Sequence, residues 1–208
     1  MNAPSLGLYI AASLALIATP GQDMIYVITR SLAQGRLAGV ASAFGVVTGI
    51  LVHTALAALG VGAILLASET LFTVVKLLGA GYLLFIGVRM LLTRASGPGI
   101  AAAAGRLTLR SLFAQGVLSN VSNPKIVLFF LAFLPQFVDP ASPHPTRDLA
   151  FLGVLYALMA LPVKCGVGIA AGSLSEKVLR RPSAIAWMNR VGGGVLVALG
   201  LRLAATER

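Results

Sequence analysis

No Asp, Glu, Lys or Arg occurs between residues 39 and 67. A helix of roughly 20 apolar residues already matches the hydrocarbon thickness of a bilayer. The stretch is one of six, at 5–29, 39–67, 71–92, 111–135, 149–173 and 184–205. The rest of the chain agrees: 58% of its 208 residues are hydrophobic, 11% are charged, and mean hydropathy is +0.93. A soluble domain needs more charge than that to cover its surface. The predicted fold is therefore an all-α integral membrane protein, with residues 1–208 forming a single transmembrane domain in the lipid bilayer.

The formal net charge of +10 raises nucleic acid as a partner. The basic residues, however, cluster at the ends of apolar segments, where they act as topology signals. No basic stripe with interleaved aromatics exists, and nucleic acid is set aside. Cys165 is the only cysteine, so no intramolecular disulfide is possible. The first Lys or Arg is Arg30, whereas a signal peptide places positive charge before its apolar core. The first segment is expected to be a retained helix.

Orientation follows from the connections. The first, third and fifth carry Arg30 and Arg36; Arg94, Arg106 and Arg110; and Lys177, Arg180 and Arg181. The second and fourth carry only Arg147, and the tail adds Arg208. Positive residues favour the cytoplasmic side, so both termini are expected in the periplasm. The connection Pro135 to Asp148 holds Pro135, Pro140, Pro143 and Pro145 and is expected to be extended and turn-rich.

A weak repeat divides the chain. Gly79, Gly81, Leu83, Gly87 and Arg89 recur as Gly192, Gly194, Leu196, Gly200 and Arg202, an offset of 113 with five identities in eleven positions. Pro20 corresponds to Pro124 at an offset of 104. The implied halves are about 1–93 and 111–208, joined by a cytoplasmic loop at about 94–110. Three spans per half would invert the second copy in the membrane, a plan common among secondary transporters.

The first span is interrupted at Thr19-Pro20-Gly21-Gln22-Asp23. Proline lacks the backbone donor and its ring presses on the carbonyl four residues back, that of Leu16. The fourth span carries Ser119-Asn120-Val121-Ser122-Asn123-Pro124-Lys125 at the matching place, where Pro124 frees the carbonyl of Asn120. Within lipid such breaks are tolerated only where protein or a water-filled cavity satisfies the backbone. Each is either a simple kink or one wall of a central site. Paired interruptions in two halves point to the latter.

Away from the helix ends three charges stand within the spans: Asp23, Lys125 and Lys164. Charges at that depth face a cavity or one another. Lys125 could instead snorkel to an interface. Asp23 is the one candidate for a proton-carrying acid, or else a fixed partner for a lysine. His53 is a second proton-coupling candidate, or a donor between helices. Gly45-x-x-x-Gly49 and Gly168-x-x-x-Gly172 permit close helix contact.

Taken in order, these motifs resemble those of the LysE/RhtB family of exporters. The first half offers Pro20-Gly21, Gly35-Arg36, Gly39, Gly45, Gly49, His53 and Gly60; the second offers Asn123-Pro124-Lys125, Phe129-Phe130 and Leu134-Pro135-Gln136-Phe137. The resemblance implies proton-driven export of amino acids across the bacterial inner membrane, by an antiporter that is a homodimer and uses no cofactor. Carried over residue by residue, it places Pro20, Gly21, Asp23, Asn123, Pro124 and Lys125 around the substrate, and the polar residues Gln22, Asn120 and Lys164 of this chain are expected to join them. Gln22 stands where the family usually has a second proline, and its polar side chain is expected toward the pocket. Lys164 is not a family feature, and a basic group there disfavours cationic substrates in favour of neutral or acidic ones.

Two rival classes lack their chemistry. A membrane thiol oxidoreductase needs paired cysteines at the breaks, and neither proline has one nearby. A metal-cation permease needs clustered acidic, His or Cys ligands, and the interior offers only Asp23 and His53 among lysines. The orientation is directly testable. A cysteine introduced at Ser96 should resist impermeant thiol reagents in intact cells, and ready labelling would reverse the assignment.

Overall fold

The computed structural model describes residues 3–61, 106–139 and 142–173, with isolated helical positions between 70 and 92 and between 190 and 201. Span one is two helices, α1 (Ala3–Ala18) and α2 (Gln22–Gln34), meeting at 48°. The bend sits at Pro20-Gly21, where Gly21 is extended rather than helical (φ −140°). Gly35, in the left-handed region (φ 88°), turns the chain into α3 (Arg36–Leu56), which continues into a π turn at Ala57–Val61.

Span four repeats this plan. Helix α4 (Leu109–Val121) is capped by Thr108, whose hydroxyl accepts from the Ser111 amide at 3.2 Å. A 51° break then separates it from α5 (Pro124–Leu128), which runs on through a π turn, Phe129–Phe133, and a 3-10 turn, Leu134–Phe137. Asn123 caps α5, accepting from the Lys125 amide at 3.1 Å. The final described helix, α6 (Pro145–Ser173), is continuous through Pro162.

Two of these helices are long and apolar enough to cross a membrane unbroken, and the two bent pairs raise the described spans to four. The expected spans at 71–92 and 184–205 fall largely outside the described residues, as does the loop before Arg106. With them goes most of the repeat at offset 113, although Ala80, Gly81 and Gly194 are helical.

One expectation needs correction. The segment Pro135 to Asp148 is not extended throughout, because Leu134–Phe137 forms a 3-10 turn and α6 already starts at Pro145. Proline suits the first turn of a helix, where its missing N–H has no partner to lose. The His144 carbonyl accepts from the Asp148 amide at 3.1 Å, and the Ser142 hydroxyl donates to the Asp148 carboxylate at 2.6 Å, fixing that start.

Helix α3 is the spine of the described bundle, packed between α4 and α6. Its backbone comes so close to α4 that a Cβ on Gly45 would lie 2.1 Å from the Phe113 carbonyl oxygen. On the other side Gly39 meets Gly168, with a Cβ there 2.9 Å from the Gly168 Cα. Lipid offers no hydrophobic drive between helices, so small residues that bring backbones into contact do this work. A second region is filled by rings: Phe129, Phe130, Phe133 and Phe137 pack with Tyr156 and Tyr9 at centroid separations of 4.9–5.7 Å. Tyr9 also donates to the Leu152 carbonyl at 2.7 Å, tying α1 to α6. Leu14, Phe44, Leu118, Phe151 and Leu158 are exposed outward, the surface that lipid would cover.

Gly45→Ala should therefore cost about 1–3 kcal/mol of stability, since neither backbone can yield without shifting a helix. Gly166→Ala, where nothing lies within 4 Å, should be neutral or slightly stabilising. Thermal unfolding of the two purified variants in detergent compares them, and equal midpoints would discount the α3–α4 contact.

Candidate functional site

The site is built on what the two prolines take away. Pro20 cannot donate to the Leu16 carbonyl, and the Thr19 carbonyl lies at the break where α1 has ended. Both are claimed by one side chain. The Lys125 ammonium donates to Leu16 at 3.3 Å and to Thr19 at 3.1 Å. Lys125 is only 6% exposed, so its side chain is enclosed by protein.

The second break is satisfied by its own neighbours. The Asn120 carbonyl freed by Pro124 accepts from the Asn123 amide at 2.9 Å and lies 3.2 Å from His53 Nε2. A carbonyl can only accept, so that ring nitrogen carries the hydrogen. The Asn123 side chain then bridges the two breaks. Its Oδ1 takes the Lys125 amide, which leaves Nδ2 to donate to Asp23 Oδ1 at 3.3 Å.

Asp23 lies in the first turn of α2, where the helix N-terminus favours a negative charge. Its Oδ2 is 3.0 Å from Lys164 Nζ, and the two side chains are 2% and 3% exposed. The ion pair is wholly inside the protein. Gly21 completes the arrangement, because a Cβ on it would sit 3.0 Å from Lys125 Nζ and 3.5 Å from Asp23 Oδ1. Asp23, Asn123, Lys125 and Lys164 are thus one connected cluster drawn from α2, α5 and α6.

The remaining expected residues are distributed around it. Pro20 is half-buried at the bend and Pro124 exposed at the other, each shaping its break. Gln22 is exposed, so the structure does not bring it into the cluster. Asn120 is fully buried against Gly49, and its side-chain amide has no hydrogen-bond partner among the described residues. His53 is buried and engaged with the backbone of the second break. No group of three metal-ligating side chains is found among the described residues.

Sequence reasoning identified the freed Leu16 carbonyl but not its donor, and Pro20 alone carries no signal for which donor arrives. It also missed a polar stripe on α2. There Tyr26 donates to the Leu112 carbonyl at 2.8 Å, Arg30 to Gln115 at 3.0 Å, and Gln34 accepts from the Leu107 amide at 2.7 Å. Spacing by four residues puts the three on one face, and that face fastens α2 to α4. Ser31 reaches the other way, donating to the Gly168 carbonyl.

Removing one member of a buried ion pair strands the other, at about 3–5 kcal/mol, whereas replacing both is close to neutral. Lys164→Met should therefore lower the thermal midpoint more than the double variant Asp23→Asn/Lys164→Met. Equal losses in the two would mean that the pair is not energetically coupled.

Comparison with known proteins agrees with this architecture. Residues 14–207 match the family model described as LysE type translocator. An uncharacterized membrane protein of Pseudomonas aeruginosa is 32% identical over 210 residues, covering 97% of each chain. One of Vibrio cholerae is 28% identical over 200 residues, covering 96% of each. A leucine efflux protein of Salmonella choleraesuis is 30% identical over 136 residues, which are 65% of this chain and 64% of its own. No solved structure matches. A family match across nearly the whole chain, joined to helices of membrane length, is decisive: the protein is a multi-pass membrane transporter belonging to the LysE type translocator family.

Proposed function

We propose that this chain exports neutral amino acids from the bacterial cytoplasm in exchange for protons, with the Asp23–Lys164 pair as the substrate-binding element. The observation that carries the reading is the pair itself, opposite charges 3.0 Å apart at a helix break. A zwitterion offers both complementary charges at once. Its ammonium can replace Lys164 at Asp23 while its carboxylate takes Lys164, so the pair opens without leaving a bare charge in a low-dielectric interior. A cationic substrate would bring a further positive charge beside Lys125, and is disfavoured.

Coupling follows from competition at one carboxylate. An Asp23 that carries a proton cannot hold the substrate ammonium, so protonation and loading exclude each other, which is the condition for antiport. The similar bends of 48° and 51° at two prolines 104 residues apart support two inverted halves that rock about this point. A relative named for leucine efflux supports a neutral substrate.

The test separates transport from stability. In inverted membrane vesicles with an imposed proton gradient, Asp23→Asn should abolish uptake of labelled neutral amino acids. The double variant Asp23→Asn/Lys164→Met should recover stability yet remain inactive. Transport by Asp23→Asn at the normal rate and pH dependence would make Asp23 structural and place the proton path elsewhere.

A further inference from the structure

The Lys125 ammonium lies where a transporter of this architecture could bind a metal ion. Backbone carbonyls released at a helix break, together with the negative end of a half-helix, are the usual ligands of coupling cations in carriers with interrupted helices. Both elements are present at Pro20. Leu16 lies in the last turn of α1 and Thr19 just past its end, and their carbonyls converge on Lys125 Nζ at 3.3 and 3.1 Å. The dipole of α1 adds its negative end at this point. Asp23 lies nearby, since a methyl on Gly21 would touch both its carboxylate and the ammonium, although the lysine at ion-pair distance from it is Lys164. The ammonium is thus held by two backbone oxygens, with a carboxylate in its vicinity.

We propose that the Leu16 and Thr19 carbonyls, with Asp23 beside them, form a monovalent cation site that the chain's own Lys125 ammonium fills. Three features fit a tethered cation better than a plain hydrogen-bond donor. Asp23 is already neutralised by Lys164, so the second lysine adds a full buried charge that a neutral donor would have avoided. Both Lys125 acceptors are backbone oxygens at a helix C-terminal end, which attract any cation and do not specify an amine. Gly21 leaves the room that the ammonium occupies, with no side chain of its own. Removing the ammonium therefore opens a site of oxygen ligands that suits sodium or potassium. The native carrier, with the site filled, needs neither ion.

Ion binding at the break is read by stability alone, without any substrate. Purified Lys125→Ala in detergent is compared with the parent in sodium, potassium and choline chloride at constant ionic strength. The expected result is a midpoint for Lys125→Ala that rises with sodium or potassium, by about 3–5 °C at tenfold the dissociation constant, and is unmoved by choline. The parent should unfold at one temperature in all three salts. Lys125→Met, whose stem still fills the space, should be destabilised without responding to the ions. A folded Lys125→Ala indifferent to sodium and potassium overturns the proposal, as does an equal rise in Lys125→Met. The parent supplies an arm that needs no variant: stabilisation of the native protein by sodium or potassium over choline would show the site open, and overturns it equally.

Discussion

A backbone carbonyl without a donor is costly inside a bilayer, and Pro20 creates one in the first span. The rest of the polar interior follows from how that carbonyl is satisfied. Lys125 reaches it from α5, so the second break must lie against the first. The turn that presents Lys125 is capped by Asn123, and the same amide has its Nδ2 left over for Asp23. Asp23 in turn holds Lys164 and with it α6. One unmet acceptor thereby fastens three helices through four side chains. A neutral, unbroken first span would need none of them.

This polar chain is set within packing that allows little adjustment. Helix α3 touches α4 and α6 backbone to backbone, and rings of Phe129, Phe130, Phe133 and Tyr156 fill the space behind the cluster. Contacts of that kind slide or hinge as rigid units and do not deform continuously. Under the proposed function the breaks are where such units hinge. The α2 stripe of Tyr26, Arg30 and Gln34 consists of single hydrogen bonds to α4 and its approach, which can part more readily than the glycine seams.

How far the sequence foretold this depended on the range of each interaction. Both breaks were legible because a proline's missing donor is a property of the residue itself. That Asp23 needs a lysine was equally readable, since a lone charge at that depth is unstable. Which lysine it takes was not, because the choice depends on how α2, α5 and α6 register against one another. Glycine contacts such as Gly39 on Gly168 set that register, and they are distant in sequence. Gln22 shows the limit at the smallest scale. Expected toward the pocket for its polarity, it is the residue before Asp23 on a helix, where neighbours point about 100° apart, and only Asp23 is buried. Likewise Pro145 reads as loop by composition, yet it opens a helix because the first turn has no use for its amide hydrogen.

The two lysines are not equivalent, and their difference bears on what the carrier can accept. Lys125 is held by carbonyls and the end of α1, contacts that exist because the helix is broken. Lys164 is held by Asp23, a partner that under the proposed function a substrate replaces in kind. If Lys125 serves the break, the element left for exchange is one acid and one base, with no net charge of its own. A cationic substrate would meet Asp23 and leave its extra charge near Lys125. A neutral zwitterion leaves both members of the pair compensated with no charge over, and under the proposed function that makes it the substrate class the pair fits most simply.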